Sequence, residues 1–328
     1  MKQITFQDAS ELKKFIQEHD FFFVAGHKEP DGDCIASCLG VASILEHFSK
    51  QYQLLSAGPF KRMEIMNWKD DFSDTMVFQD AAERSKTGVI IVDCAEIVRL
   101  GEIEGDFKNL DLFIIDHHKT SENLKNVKNY VNSDVPACAY IIQIFYEMII
   151  GDIPKNIAEI LFFGICTDSG FFRFLSDDSA CVFEAVGRLV SYGANPKETY
   201  KKINFGKPYS TRKLLGVLLQ KAEKYLDGRL IVTYESLEDT KKFGAEGRDS
   251  DSLYQLLLSC KGAEVVVFLR QDTPFTCTGG FRSQNEIDVS VVAAKFGGGG
   301  HKNASGMSCN GKAETLIPQI VKEFARIM

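Results

Sequence analysis

Aspartate and histidine side chains crowd four short polar strings in the first half of the chain. GHKEPDGD carries His27, Asp31 and Asp33. Carboxylates at alternate positions of a turn can point to neighbouring sites, and their oxygens, with the His27 nitrogen, suit a first-row divalent cation. A polar turn built on Pro30 and Gly32 would account for the same string on structural grounds. Asp93 closes the apolar run VIIVD, where a helix N-cap is an equal alternative. Asp116, His117 and His118 close LFIID. Adjacent side chains on extended backbone point to opposite sides, so the two imidazoles should have different tasks, one binding metal and the other facing substrate. Asp168 in TDSG follows a helical pattern, and a turn aspartate would read the same way. His19 and His47 lie in ordinary helical context and receive no role.

The elements that must position these residues are short apolar runs separated by helical periodicity. Strands are expected at Phe21–Ala25, in QYQLLSAG, at Gly88–Cys94 and at Leu112–His118. Helices are expected at Glu11–Glu18, Cys34–Phe48, Cys138–Ile150, Ile157–Cys166 and Ser179–Tyr192, with Asn195-Pro196 opening another. That alternation predicts a parallel α/β sheet, whose ligand site lies beyond the carboxyl ends of its strands. Three strands end at the Asp and His strings, so the polar residues collect where a site should be. A long helix from Ser210 to Leu226 is expected to connect domains. Beyond it RLIVTYES and AEVVVFLRQ read as strands, Ser252–Ser259 as a helix, and a final helix follows the glycine-rich GGGGHKNASG.

With 328 residues, 45% of them apolar, the chain can bury two cores. Its net charge of −7 opposes a long non-specific grip on duplex nucleic acid, while leaving room for a local basic pocket. The nine cysteines include no CxxC pair, which reads as buried or free thiols in a reducing cytoplasm and not as a zinc cluster. MKQITFQDASELKKF lacks the apolar core of a signal peptide, and Tyr140–Ile150 is interrupted by Gln143 and Glu147 and too short to span a bilayer. A cytoplasmic protein without a membrane partner is expected, and a homodimer is left open.

In the second half, four glycines at Gly297–Gly300 let backbone N–H groups approach an anion, and His301 can add a donor. The segment is not a P-loop, because no Lys-Ser/Thr follows it. Arg282 in FRS can hold a phosphate with two hydrogen bonds. Arg173 in FFRF is a further candidate for the same task, with Asn303 and Ser305 behind it.

GHKEPDGD, VDC, DHH and TDSG, in that order, resemble the DHH phosphoesterase family, and FRS followed by GGGGHKNASG resembles the DHH-associated domain of nanoRNases and related enzymes. The resemblance implies a DHH domain over 1–190, a helical linker over 191–227 and a smaller α/β substrate-binding domain over 228–328, with a cleft between the domains. It implies two divalent cations, one held by His27, Asp31 and Asp93, the other by Asp33, Asp93, His117 and Asp168, with Asp93 shared. Asp116 would hold the site from behind, and His118 would face the scissile phosphate. Gly298, Gly299, Gly300, His301, Arg282 and Arg173 would bind substrate. VPACAY departs from relatives that carry Ser/Thr-rich sequence there, which removes a hydroxyl contact. Four clustered carboxylates are balanced in charge by two divalent cations, and oxygen and imidazole donors favour Mn²⁺, with Mg²⁺ or Co²⁺ as substitutes. Such a pair of ions can activate a shared water for in-line attack on a phosphate. The implied substrates are short oligonucleotides (nanoRNA and linear dinucleotides) or 3′-phosphoadenosine 5′-phosphate. A cyclic dinucleotide such as cyclic di-AMP is the alternative. Pyrophosphate or polyphosphate hydrolysis fits the GGGGH ending less well, and a non-catalytic nucleotide-binding scaffold fits the complete ligand set less well.

Overall fold

Runs of β-branched and aromatic residues with no polar face form strands buried on both sides. The computed structural model describes residues 3–78, 81–118, 127–245, 248–284 and 286–328. The chain divides into two units, Met1–Gly206 and Lys207–Met328.

The first unit runs α1 (Phe6–Glu18), β1 (Phe21–Ala25), α2 (Gly32–His47), β2 (Gln51–Leu55), β3 (Phe72–Ser73), α3 (Ala81–Arg84), β4 (Thr87–Val92), β5 (Asp111–Asp116), β6 (Lys128–Val131), α4 (Cys138–Ile149), α5 (Lys155–Asp168), α6 (Ala180–Ser191) and α7 (Pro196–Asn204). Its strands form one parallel sheet in the order β3-β2-β1-β4-β5-β6. Alternate residues serve opposite faces. Phe22, Val24, Ile90, Val92, Phe113 and Ile115 join the helices in one core, while Phe23, Ala25, Val89, Ile91 and Ile114 line a second core on the other face. The chain lays β2 and β3 to one side of β1, then β4, β5 and β6 to the other. The strand order therefore reverses between β1 and β4, and in open α/β sheets ligands bind at that reversal, beyond the carboxyl ends.

The second unit runs α8 (Tyr209–Gln220), β7 (Glu223–Tyr225), β8 (Leu230–Glu235), α9 (Leu237–Phe243), α10 (Ser250–Leu258), β9 (Val265–Gln271), β10 (Thr276–Ser283), α11 (Ser290–Lys295), β11 (Gly299–His301), β12 (Ala304–Asn310) and α12 (Ala313–Phe324). Its sheet is mixed, ordered β11-β12-β10-β9-β8-β7, with β8 and β9 parallel and the other pairs antiparallel. The helix expected over Ser210–Leu226 ends early, at Gln220. Glu223–Tyr225 pairs with Leu230–Val232 instead, because extended backbone there satisfies an edge of β8.

No helix among the described residues is long and apolar enough to cross a membrane. All nine cysteines are free thiols.

Candidate active site

The carboxyl ends of β1, β4 and β5 deliver the first three strings to one place. His27 follows β1, Asp93 follows β4, and Asp116 is the last residue of β5. Asp93 adopts φ +58°, a left-handed conformation that a non-glycine residue rarely takes and that turns the chain sharply at the strand end. It caps no helix: the short helical turn after it starts behind Glu96, without a side-chain cap.

Asp31 is the N-cap of α2, and its Oδ1 accepts the Asp33 and Cys34 N–H groups at 3.1 Å each. Asp33, fully buried, reaches across to another helix. Its Oδ2 accepts the Cys138 N–H at 2.6 Å and its Oδ1 the Ala139 N–H at 2.8 Å. Those are the first amides of α4, whose own N-cap, Ala137, has no side chain able to accept them. The Asp33 carboxylate thus does for α4 what its N-cap residue cannot. Asp168, the last residue of α5, comes from the other side.

His117 Nε2 lies 3.2 Å from Asp168 Oδ2, 3.3 Å from Asp93 Oδ1 and 3.7 Å from Asp33 Oδ2. His27 Nε2 lies 3.4 Å from Asp93 Oδ2 and 3.8 Å from Asp31 Oδ1. The His27 Nδ1–H donates to the Lys28 carbonyl at 2.8 Å, which directs Nε2 to the carboxylates. Asp116 Oδ1 accepts the His117 N–H at 2.7 Å, the His118 N–H at 3.2 Å and the His118 Nδ1–H at 2.7 Å. Asp116 therefore orients His118, while His118 is partly exposed.

Burial favours neutral carboxyls here, and the negative charges of Asp93 and Asp168 add to it, so the Asp33 carboxyl is pushed well above its ordinary range. Asp168 is also raised, by burial first, against the hydrogen bond from His117 and with the charges of Asp31 and Asp93. Burial opposes charge on the two rings. The hydrogen bonds and charges of their carboxylate partners overcome it, holding His27 up to about 11 and His117 up to about 12. Burial also raises Asp116, but the His118 hydrogen bond and the two backbone N–H groups outweigh it and leave that carboxyl low.

The donor set fits divalent cations. Asp93 Oδ1 and His117 Nε2 are buried, and the approaches of His117 Nε2 to Asp93 and Asp168 are ionic contacts without good hydrogen-bond alignment, so both atoms are open to a cation. Ligand atoms of Asp33, His117 and Asp168 lie within 4.8 Å of one another, as do those of Asp93, His117 and His118, and those of His27, Cys34 and Asp93. Cys34 was not marked by the sequence reading. Its one signal is its place, directly after Asp33 in the first turn of α2.

The remaining candidates are distributed differently. Arg173 is exposed in the loop after Asp168, its guanidinium 4.7 Å from the Phe174 ring centre. Phe174 lines a cavity of about 360 Å³ beside Asp168, with Asp134, Ser176 and Asp178. In the second unit, Arg282 and Gly299 line a cavity of about 400 Å³ with Tyr254, Phe268, Arg270 and Ser305. Arg282 sits over the Tyr254 ring at 4.7 Å. Arg270, missed in the sequence because it ends an ordinary apolar strand, is held by the fully buried Glu235, whose Oε2 accepts its Nε–H at 3.0 Å. Gly298, Gly300 and His301 are not among the residues lining that cavity. A side chain at Gly298 would meet the Gly306 carbonyl at 2.0 Å, and one at Gly300 would meet Ser305 Cα at 2.7 Å. Both glycines thus let the backbone around β11 lie close to β12. His301 is exposed at the end of that hairpin.

Comparison with known proteins agrees with this architecture. The DHH family N-terminal domain matches residues 22–165 and the DHHA1 domain residues 227–328. The chain is 29% identical over 293 residues to the bifunctional oligoribonuclease and PAP phosphatase NrnA of Thermus thermophilus, covering 88% of this chain and 84% of that one. It is 28% identical over 308 residues to the cyclic-di-AMP phosphodiesterase PdeA of Listeria monocytogenes, covering 88% of this chain and 45% of that one. A crystal structure of an exopolyphosphatase-related protein from Bacteroides fragilis shares the fold, with TM-score 0.85 at 23% identity over 99% of this chain and 98% of that one.

Proposed function

We propose that this chain, a DHH-family phosphoesterase with a DHHA1 domain, hydrolyses short oligoribonucleotides and 3′-phosphoadenosine 5′-phosphate at a two-cation centre. The observation that carries the reading is the convergence of His27, Asp33, Asp93, His117 and Asp168 at the switch point of the parallel sheet. The similarity to NrnA along most of both chains supports the substrate class.

In this reading His27, Asp31 and Asp93 hold one cation, and Asp33, Asp93, His117 and Asp168 hold the other. Mn²⁺ is the preferred ion, and such cations supply a water of lowered pKa and positive charge against the phosphoryl oxygens. The protein's own groups set the geometry. Asp31 is fixed by the amides of α2 and Asp33 by those of α4, so neither carboxylate swings when charge changes nearby. His118, tied through Nδ1 to Asp116, keeps Nε2 to give a proton to the leaving oxygen. In the second unit, Arg282 and Arg270 offer charge and Tyr254 and Phe268 offer ring faces, a lining suited to the phosphate and base of a nucleotide.

Hydrolysis of cyclic di-AMP is the second reading, favoured by the similarity to PdeA. A product assay with Mn²⁺ separates them, using 3′-phosphoadenosine 5′-phosphate, a dinucleotide, an RNA pentamer, cyclic di-AMP and pyrophosphate, each repeated with EDTA. Phosphate from the first and mononucleotides from the next two, all abolished by EDTA, are expected. Turnover confined to cyclic di-AMP moves the assignment to the second reading. Turnover confined to pyrophosphate, or none at all, sinks both.

A further inference from the structure

Glu235, the last residue of β8, is fully buried, and three side chains close on its carboxylate. Oε2 accepts the Arg270 Nε–H at 3.0 Å. Oε1 accepts the Thr240 hydroxyl at 2.6 Å and an Arg248 Nη2–H, and Arg248 Nη2 also donates to Thr240 Oγ1 at 2.9 Å. Glu235 and Arg270 are register partners on the parallel pair β8–β9, so their contact is built into the sheet. One carboxylate meets two guanidiniums, and one positive charge is left over. Arg270 lines the cavity of about 400 Å³ in the second unit, whereas Glu235 and Arg248 do not, and none of the residues lining it is acidic. With Nε engaged by Glu235, the two terminal amino groups of Arg270 have no hydrogen-bond partner among the described residues. A second donor shares the cavity. Tyr254 is 6% exposed, and its hydroxyl makes no hydrogen bond to the described residues. A Cβ at Gly280 would fall 2.0 Å from that oxygen, so the hydroxyl lies over a glycine of the cavity wall.

We propose that Glu235 is a positioning residue for substrate binding: it fixes Arg270 through Nε so that the terminal amino groups meet a phosphate in the cavity, and Arg248 supplies the counter-charge that keeps Glu235 from cancelling Arg270. The proposal rests on the reading of this cavity as a nucleotide site. An arginine already held at Nε loses less freedom when it grips a phosphate with two hydrogen bonds, so binding is tighter than to a free side chain. Arg248 is what makes the arrangement useful. A buried carboxylate facing Arg270 alone would form a neutral pair and leave little charge for the phosphate. A pair that served stability alone would need one guanidinium, and its loss would move the melting midpoint and leave KM where it was.

The test is a kinetic double-mutant cycle. Steady-state hydrolysis of 3′-phosphoadenosine 5′-phosphate by the full chain with Mn²⁺ is measured for wild type, Glu235→Gln, Arg270→Gln, the double variant, Arg248→Gln and Arg248→Lys. Where wild type does not turn this nucleotide over, its dissociation constant from isothermal titration calorimetry takes the place of KM. Arg270→Gln should raise KM by about tenfold and Glu235→Gln by about fivefold, with kcat within about twofold in each. The double variant should match Arg270→Gln within about twofold, because Glu235 acts only through Arg270. Arg248→Gln should raise KM by about threefold, and Arg248→Lys, which keeps the charge, should restore most of it. KM unmoved by Glu235→Gln, or two effects that multiply in the double variant, overturn the positioning role even when the midpoint falls, and leave the cavity as a nucleotide site. KM unmoved by Arg270→Gln removes the cavity from substrate binding, and neither turnover nor binding by wild type brings down the substrate reading; the role of Glu235 falls with either. If Glu235→Gln does not fold, the Arg248 variants decide: KM raised by Gln and restored by Lys supports the proposal, and KM unchanged by Gln refutes it.

Discussion

Asp33→Ala should weaken the fold even when no metal is present, because Asp33 does the work of a helix cap. Its carboxylate accepts the Cys138 and Ala139 amides at 2.6 and 2.8 Å, in full burial. Removing it leaves both N–H groups at the α4 N-terminus without an acceptor, since Ala137 cannot substitute. Orphaned buried groups cost about 1–3 kcal/mol each and loss of a cap about 0.5–2 kcal/mol, so the pair is worth roughly 2–4 kcal/mol. At about 2–4 °C per kcal/mol for a domain of this size, the midpoint should fall by roughly 4–16 °C. The assay is selective by good fortune of sequence: the chain has one tryptophan, Trp68, which sits in the first unit with its ring 5.5 Å from that of Phe163. Thermal melts followed by tryptophan fluorescence in EDTA therefore report that unit. Asp168→Ala is the comparison variant: Asp168 caps no helix, so its removal costs only the His117 ion pair, and in both variants carboxylate crowding is relieved. Both variants should lose turnover. Asp33→Ala should lose more stability in EDTA than Asp168→Ala, and equal midpoints for Asp33→Ala and wild type would refute the capping role.

Asp116→Asn should lower kcat by about 10–100-fold with bound-metal stoichiometry unchanged, because it loosens the orientation of His118 and not the cation donors; kinetics with metal analysis on the same sample checks this. Arg282→Ala should raise KM by about tenfold with a smaller effect on kcat, and His301→Ala should act in the same direction. KM unmoved in both would remove the second unit from substrate binding. Asp249 caps α10 and pairs with Arg212 at 2.6 Å. Burial raises its carboxyl, but Ser252 and Arg212 outweigh that and hold it below the ordinary value. The sign follows: this stabilisation is complete above about pH 4 and is lost as pH falls through the lower folded value. Circular-dichroism melts of wild type and Asp249→Asn should differ at pH 5 and converge at pH 2.

Residues buried on both faces were the easiest to read. Phe21–Ala25 is a strand with the expected bounds, and Val89–Val92 lies inside the run expected to be one, because an unbroken apolar string has no alternative that exposes it. Lys128–Val131 was not legible, since an edge strand with Lys128 and Asn129 exposed carries no pattern. Thr276–Ser283 was hidden by Gly279 and Gly280, residues that argue against a strand until Leu269 and Tyr254 are seen packed over them. The Asp and His strings were legible as a set because three of them follow directly on strands of that kind. What they do for the fold was not, because the partners are distant in sequence. Nothing near Asp33 announces that it closes the end of a helix more than a hundred residues away. The consequence reaches function. A serine at position 137 would compete for the Ala139 amide, the second of the helix, and would leave the Cys138 amide to Asp33. With alanine there, the carboxylate assigned to the cation also anchors α4, and α4 packs with α2 and α5 in one core. The ligand geometry is therefore set by helix packing that exists before any cation arrives, and a change at Ala137 that supplies a local cap for the Ala139 amide should weaken one of the two bonds that fix Asp33 without touching a single donor atom.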